Sequence, residues 1–188
     1  EAQAQARRSD EELRRGEDRG FLHGIPISIK DIINLAGIPT TAASAVRKGH
    51  RATTDATVIA RLRASGAIFI GKCNLHEFAF GTTGEDSAFG PTRNPRAPDR
   101  LAGGSSSGSA ASVAAGMALA SIGTDTGGSI RIPAAACGVV GLKPTHGELT
   151  TEGIVPLAPT LDHVGPLANT VGDAAVIYKV MAGGSVRV

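Results

Sequence analysis

The stretch TDTGGSIRIP, Thr124 to Pro133, decides how this sequence is read. Two glycines stand directly before Ser129, and Arg131 follows between Ile130 and Ile132. Glycine serves where the backbone must take a positive φ, or where a ligand approaches with no Cβ in the way. A serine so bared by its neighbours is a candidate for chemistry. A second loop of the same kind lies upstream, Ala102-Gly-Gly-Ser-Ser-Ser-Gly108, and each loop opens a segment of very small residues. One such loop would read as a tight turn with a helix N-cap. Two of them, joined to a lysine at the end of a strand, ask for more than turn chemistry.

Working outward, the second loop leads into a helix over Ser109 to Met117 and a strand over Ala118 to Ile122. After TDTGGSIRIP the pattern repeats, with a short helix from about Ile130 to Cys137 and a strand over Val139 to Leu142. Upstream, Gly24-Ile-Pro-Ile-Ser-Ile29 alternates large apolar with small residues, which is strand periodicity, and places Lys30 at or just past the strand end. Thr54-Asp55 can cap a helix running to about Ser65, with Val58, Ile59 and Leu62 on one face; Gly66 stops it before a strand over Ala67 to Ile70. Ser87 to Leu101, holding Pro91, Pro95 and Pro98, reads as a long loop, and Val171 to Met181 as a last amphipathic helix stopped at Gly183-Gly184. Alternating helices and strands predict an α/β fold, a layered mixed β-sheet flanked by helices. Residues 1–20 are dense in charge with Leu13 their one large aliphatic, so they read as a solvated helix or frayed arm, and 21–188 as the core.

Composition narrows the partners. The 188 residues fit one domain, and 19 Lys plus Arg against 17 Asp plus Glu offer no basic surplus for nucleic acid or an anionic membrane. Cys73 and Cys137 are too few for a disulfide framework and suit a reducing, cytoplasmic setting. No apolar stretch has the length of a membrane span or the form of a leader. Aromatic residues are 3% of the chain while glycines number 25, a composition suited to a site built from main chain.

Three short motifs compete for the chemistry. Gly66-Ala-Ile-Phe-Ile-Gly-Lys-Cys73 nearly spells a phosphate-binding loop, but Cys73 replaces the magnesium-binding hydroxyl and the residues between the glycines read as a buried strand. His76-Glu-Phe-Ala-Phe80 begins like a zinc-protease helix, yet Phe80 occupies the place of the second histidine, so no metal is expected. Gly104-Ser-Ser-Ser-Gly108 matches the nucleophile elbow, with Ser106 as nucleophile, but the elbow needs a strand directly upstream, which Arg96 to Arg100 is not expected to supply.

Taken together, Ala102 to Ala111, Gly123 to Pro133 and Ala136-Cys-Gly-Val-Val-Gly-Leu-Lys-Pro-Thr145 resemble the glycine- and serine-rich core of the amidase signature family of serine hydrolases. The similarity extends to Gly24-Ile-Pro-Ile-Ser-Ile-Lys-Asp31 and Gly71-Lys-Cys-Asn-Leu-His-Glu-Phe-Ala79. The resemblance implies the family's fold, of which this chain holds the core part. It also implies a Ser-Ser-Lys triad of nucleophile Ser129, bridging Ser105 and base Lys30, with a cis peptide between Gly104 and Ser105. The oxyanion donors it implies are the backbone N–H groups of Thr126, Gly127, Gly128 and Ser129, with Asp125, Arg131 and Ser106 in supporting roles. The implied substrate is a small-molecule carboxylic amide, with an ester as a second option, opened through an acyl-serine intermediate with no metal and no organic cofactor.

Family members are usually more than twice as long. The resemblance therefore implies that the rest of the sheet and much of the acyl pocket come from a further C-terminal portion, or that a homodimer closes an apolar face. The related A-type amidotransferase component usually carries Gln where Ile132 stands and a different segment at Glu148 to Gly153, so a stand-alone amidase is the preferred reading. A catalytically silent scaffold that keeps the motif for its fold is the alternative outside enzymes.

Overall fold

Strands whose alternate residues are apolar must bury one face, and the way this chain does so determines where Lys30 ends up. The computed structural model describes residues 1–184. Its elements run α1 (Ala2–Arg14), β1 (Pro26–Lys30), α2 (Thr57–Ala64), β2 (Ile68–Cys73), β3 (Arg93–Asn94), β4 (Ala97–Leu101), α3 (Ser107–Ala114), β5 (Ala120–Asp125), α4 (Arg131–Cys137), β6 (Val140–Gly141), β7 (His163–Ala168) and α5 (Val171–Met181). Five strands form one sheet in the order β2-β1-β5-β7-β6. β1 is parallel to β2 and β5, whereas β7 is antiparallel to β5 and β6, so the sheet is mixed.

Ile27 and Ile29 of β1, with Ile122 and Val164, join Val58, Ile59 and Leu62 of α2 and Ile177 and Met181 of α5 in the main core. Each such side chain contributes about 1.5–3 kcal/mol by leaving water. The intervening Ser28 and Lys30 are also buried, and Ser28 Oγ meets Ser112 Oγ of α3 at 2.9 Å. On that side α3 and α4 pack against each other, with Ala110, Ile130, Ala134, Cys137 and Leu167 forming a second cluster of small side chains. Small residues let α3 approach closely: the amide of Gly108 donates to the carbonyl of Asn74 at 2.9 Å, and a Cβ on Gly108 would lie 2.7 Å from Asn74 backbone atoms.

Several elements differ from the sequence reading. Asp55 does not cap α2; its carboxylate accepts from the amide of Ala36 at 2.8 Å and pairs with Arg63 at 2.7 Å, so the helix starts later, behind Ala56. Strand β2 continues to Cys73 because it pairs along the length of β1, Lys30 opposite Cys73. Ser87 to Leu101 is not all loop: β3 and β4 form an antiparallel ribbon, and Pro98 is tolerated because each strand of a two-stranded ribbon keeps a free edge. A strand therefore does precede Gly104, but it lies in this ribbon and not in the main sheet. β7 is missing from the sequence reading because Gly165 and Pro166 mask its strand pattern. Gly165 is required there, since a Cβ would lie 2.2 Å from the carbonyl oxygen of Leu142. Helix α5 has the bounds read from the sequence, with Thr170 Oγ1 accepting from the amide of Asp173 at its start.

The charged N-terminal stretch forms α1 and is tied down by polar contacts. Glu12 is buried, 2.9 Å from His23 Nε2 and 2.5 Å from Arg19 Nη2. Of the expected core range, residues 185–188 lie outside the described residues. Among the described residues, no helix is long and apolar enough to cross a membrane.

The Gly108 contact yields a stability test. Gly108→Ala must push α3 away from Asn74 and is expected to lower stability by about 1–3 kcal/mol in chemical denaturation. Gly71→Ala, where a Cβ meets nothing within 4 Å, should leave it unchanged or slightly raised.

Candidate active site

Lys30 is the last residue of β1 and is fully buried. Its Nζ donates to Ser105 Oγ at 2.7 Å and to Thr124 Oγ1 at 2.8 Å. No carboxylate lies within ion-pair distance of this amine among the described residues. Burial pushes Lys30 down to about 7, against the smaller opposing pull of Asp125 and Asp162. A lysine in this state exchanges its proton near neutrality, with a hydroxyl already in contact.

Ser105 follows a cis peptide bond from Gly104 and is fully buried. Its carbonyl accepts from the amide of His76 at 3.1 Å, and the amide of Gly104 donates to the carbonyl of Thr82 at 2.7 Å. The adjacent serines are engaged elsewhere. Ser106 Oγ donates to the carbonyl of Thr124 at 3.1 Å and accepts from its amide at 3.3 Å, which stitches this loop to β5. Ser107 Oγ donates to Thr92 Oγ1 at 3.1 Å. The amide of Ser106 also donates to the carbonyl of Ser129 at 3.2 Å, and this backbone contact sets the two glycine-serine loops side by side.

The second loop is shaped by Asp125, the last residue of β5, whose side chain is shut off from solvent. Its Oδ1 accepts from the amide of Gly128 at 2.9 Å and from Arg131 Nη2 at 2.9 Å; its Oδ2 accepts from the amide of Ile130 at 3.1 Å and from Arg131 Nε at 3.0 Å. Burial alone would raise Asp125, but the Arg131 guanidinium and the Ile130 and Arg131 amides hold it below the usual carboxylate range. Gly128 adopts φ +135°, and a Cβ there would run into Ile132. Its amide, one of the donors expected for an oxyanion, donates to Asp125 here. The amides of Thr126, Gly127 and Ser129 have no backbone or side-chain acceptor among the described residues.

Beside this loop opens a cleft of about 80 Å³. Ile32, Ile154, Val155 and Leu157 supply apolar wall, and Thr124, Thr126, Asp162 and His163 supply its polar side. Thr124, Asp162 and His163 line the cleft and are not among the site residues expected from the sequence. Thr124 belongs to the quoted stretch itself, and its hydroxyl is a direct partner of Lys30. Asp162 and His163 sit at the start of the masked strand β7, where Asp162 accepts from Thr126 Oγ1 at 2.6 Å and His163 Nδ1 donates to the carbonyl of Asp125 at 3.0 Å.

The competing motifs fall elsewhere. Lys72 points to Asp31 Oδ1 and the carbonyl of Ile33, each at 2.8 Å, and braces the loop after β1. The segment between Gly66 and Gly71 is largely β2 and offers no phosphate nest. The His76 ring faces Asp86 at 3.3 Å and the amide of Gly84 at 3.3 Å.

Comparison with known proteins shows the kinship of the chain. A family model for amidases matches residues 1–187. The chain is 54% identical over 182 residues to the A-type component of glutamyl-tRNA(Gln) amidotransferase from Anaeromyxobacter sp. (strain K), covering 97% of this chain and 37% of that protein. Among solved structures it is similar to one described as an amidase, with TM-score 0.93 and 48% identity over 98% of this chain and 42% of that one. It is also similar to the native peptide amidase from Stenotrophomonas maltophilia, with TM-score 0.92 and 46% identity over 97% and 38%. The corresponding A-type amidotransferase component of Thermotoga maritima gives a TM-score of 0.84 at 42% identity over 96% and 44%. The chain thus spans little more than a third of the length of the curated relatives it matches. A buried lysine on a serine, two interlocked glycine-serine loops and a family match along nearly the whole sequence lead to one statement of kinship: this chain belongs to the amidase family.

Proposed function

We propose that the chain carries the centre of a serine amidohydrolase that opens a carboxylic amide through an acyl-Ser129 intermediate. The observation that carries the reading is the fully buried Lys30, lowered to about 7 with its Nζ 2.7 Å from Ser105 Oγ. Neutral Lys30 takes the proton of Ser105, Ser105 takes that of Ser129, and Ser129 Oγ bonds to the carbonyl carbon of the amide. The oxyanion falls to the free amides of Thr126, Gly127 and Ser129, each good donor being worth about 3–4 kcal/mol. As the C–N bond breaks, the proton returns through Ser105 to the leaving amine. Water then attacks the acyl carbon, its proton following the same route to Lys30, and Ser129 is released.

Asp125 and Arg131 hold the loop in this scheme, and Ser106 holds the two loops together. The free thiols of Cys73 and Cys137 suit a cytoplasmic enzyme. A further C-terminal portion or a second copy would complete the cleft. The 54% identity to an amidotransferase component favours a second reading, in which the same centre releases ammonia for a transfer reaction. Ile132, where that component usually carries Gln, and the higher TM-scores of the structures described as amidases support the first.

Two measurements test the centre. A serine-directed fluorophosphonate should label the folded chain on Ser129; labelling is lost in Ser129→Ala and retained, more slowly, in Ser106→Ala. Folded wild type that takes no label would overturn the hydrolase reading, and loss in Ser106→Ala alone would move the nucleophile there.

Reaction rate should also rise with pH through about 7, because only deprotonated Lys30 serves as base. Lys30→Ala should cost about 10²–10⁴-fold. Lys30→Arg should not rescue it, since a guanidinium stays protonated at every working pH. A flat rate from about pH 5 to about pH 9 would remove Lys30 from the role.

A further inference from the structure

We infer that Asp162 is a positioning residue of this centre, tying the cleft wall to the loop that presents Ser129. The inference rests on the hydrolase reading above. Asp162 stands 33 positions beyond Ser129, outside both glycine-serine loops. Its Oδ1 accepts from Thr126 Oγ1 at 2.6 Å and from the amide of Ala158 at 3.1 Å; its Oδ2 accepts from the amides of Leu157 at 2.9 Å and Ala158 at 3.0 Å.

Three of these contacts close the turn from Leu157 to Asp162, and the carbonyl of Ala158 accepts from the amides of Leu161 and Asp162 at 2.8 Å to complete it. A turn needs no more. The fourth and shortest contact leaves the turn and fastens the side chain of Thr126, a residue with a free amide three positions before Ser129. A β-branched side chain is stiff about χ1, so anchoring its hydroxyl also orients its backbone. The next residue repeats the grip: His163 Nδ1 donates to the carbonyl of Asp125, opposite it in the β5 and β7 register. Two consecutive residues thus hold two consecutive residues of the loop.

Asp162 also contributes charge. Two carboxylates act on Lys30: Asp125, the stronger of the two, which is paired with Arg131, and Asp162. Asp162 has no cationic partner among the described residues, and its field favours the protonated form of Lys30. Removing that charge should therefore let Lys30 lose its proton at lower pH.

The test is the rate at which a fluorophosphonate labels Ser129, followed across pH in Asp162→Asn, Thr126→Val and the double variant. Each single variant should slow labelling about tenfold. The double variant should slow it by about the same factor, since Thr126→Val removes the donor of the same contact that Asp162→Asn weakens by replacing a charged carboxylate acceptor with a neutral amide. Asp162→Asn alone should move the rising limb to lower pH, a change that a merely structural turn residue would not produce. If Asp162→Asn fails to fold, Thr126→Val, which leaves the turn intact, still decides the rate. Wild type that labels beside an Asp162→Asn protein of unchanged rate and limb would overturn the inference, and so would a double variant slowed about a hundredfold. Folded wild type that never labels overturns the hydrolase reading instead.

Discussion

Lys30 is an amine placed in the interior with two hydroxyls and, among the described residues, no carboxylate within ion-pair reach. Burying a charge without a counter-charge is costly, and the group responds by giving up its proton near neutral pH. The surrounding structure is arranged to keep that amine in place. β1 delivers it at the carboxyl end of a strand that runs parallel to β5, and Thr124 waits at the matching end of β5. The Ser105 hydroxyl reaches it from the loop ahead of α3, held by the Ser106 contacts to β5 and the Gly108 contact to Asn74. Moving any of these elements outward would hydrate the amine and restore its ordinary basicity.

The quoted stretch is organised by a different group, the carboxylate of Asp125. It gathers backbone amides on both sides of Ser129, from Gly128 and Ile130, and the guanidinium of Arg131 closes the ring. The two glycines divide the work. Gly128 takes the positive φ that lets the chain curl around the carboxylate, and Gly127, whose absent Cβ would meet nothing within 4 Å, leaves the approach to the free amides open.

Much of this was legible because it rests on local rules. The alternation from Ile27 to Lys30 places the lysine at a strand end, and the small residues after each loop require closely packed helices, as α3 and α4 show. The illegible parts depend on tertiary partners. Asp55 looks like a cap until Ala36 and Arg63 claim it, and Pro98 looks like a loop residue until a ribbon offers it a free edge. β7 hides behind Gly165 and Pro166, and with it hide Asp162 and His163, whose significance is apparent only once the strand lies beside β5. Glu12 and His23 are likewise ordinary surface residues in the sequence and a buried pair in the fold.

Arg131 draws these lines together. Asp125 lies close enough to raise Lys30 and so opposes the desolvation that lowers it. An unpaired carboxylate there would hold the amine in its charged form, while an apolar residue would leave the loop amides without their organiser. Pairing Asp125 with Arg131 through two hydrogen bonds keeps the organiser and gives its charge a partner. The guanidinium does this while its own side chain stays about half exposed, so its charge is solvated and adds no second buried cation beside Lys30. An arginine between two isoleucines is therefore the residue that gives the loop-shaping aspartate its cationic partner.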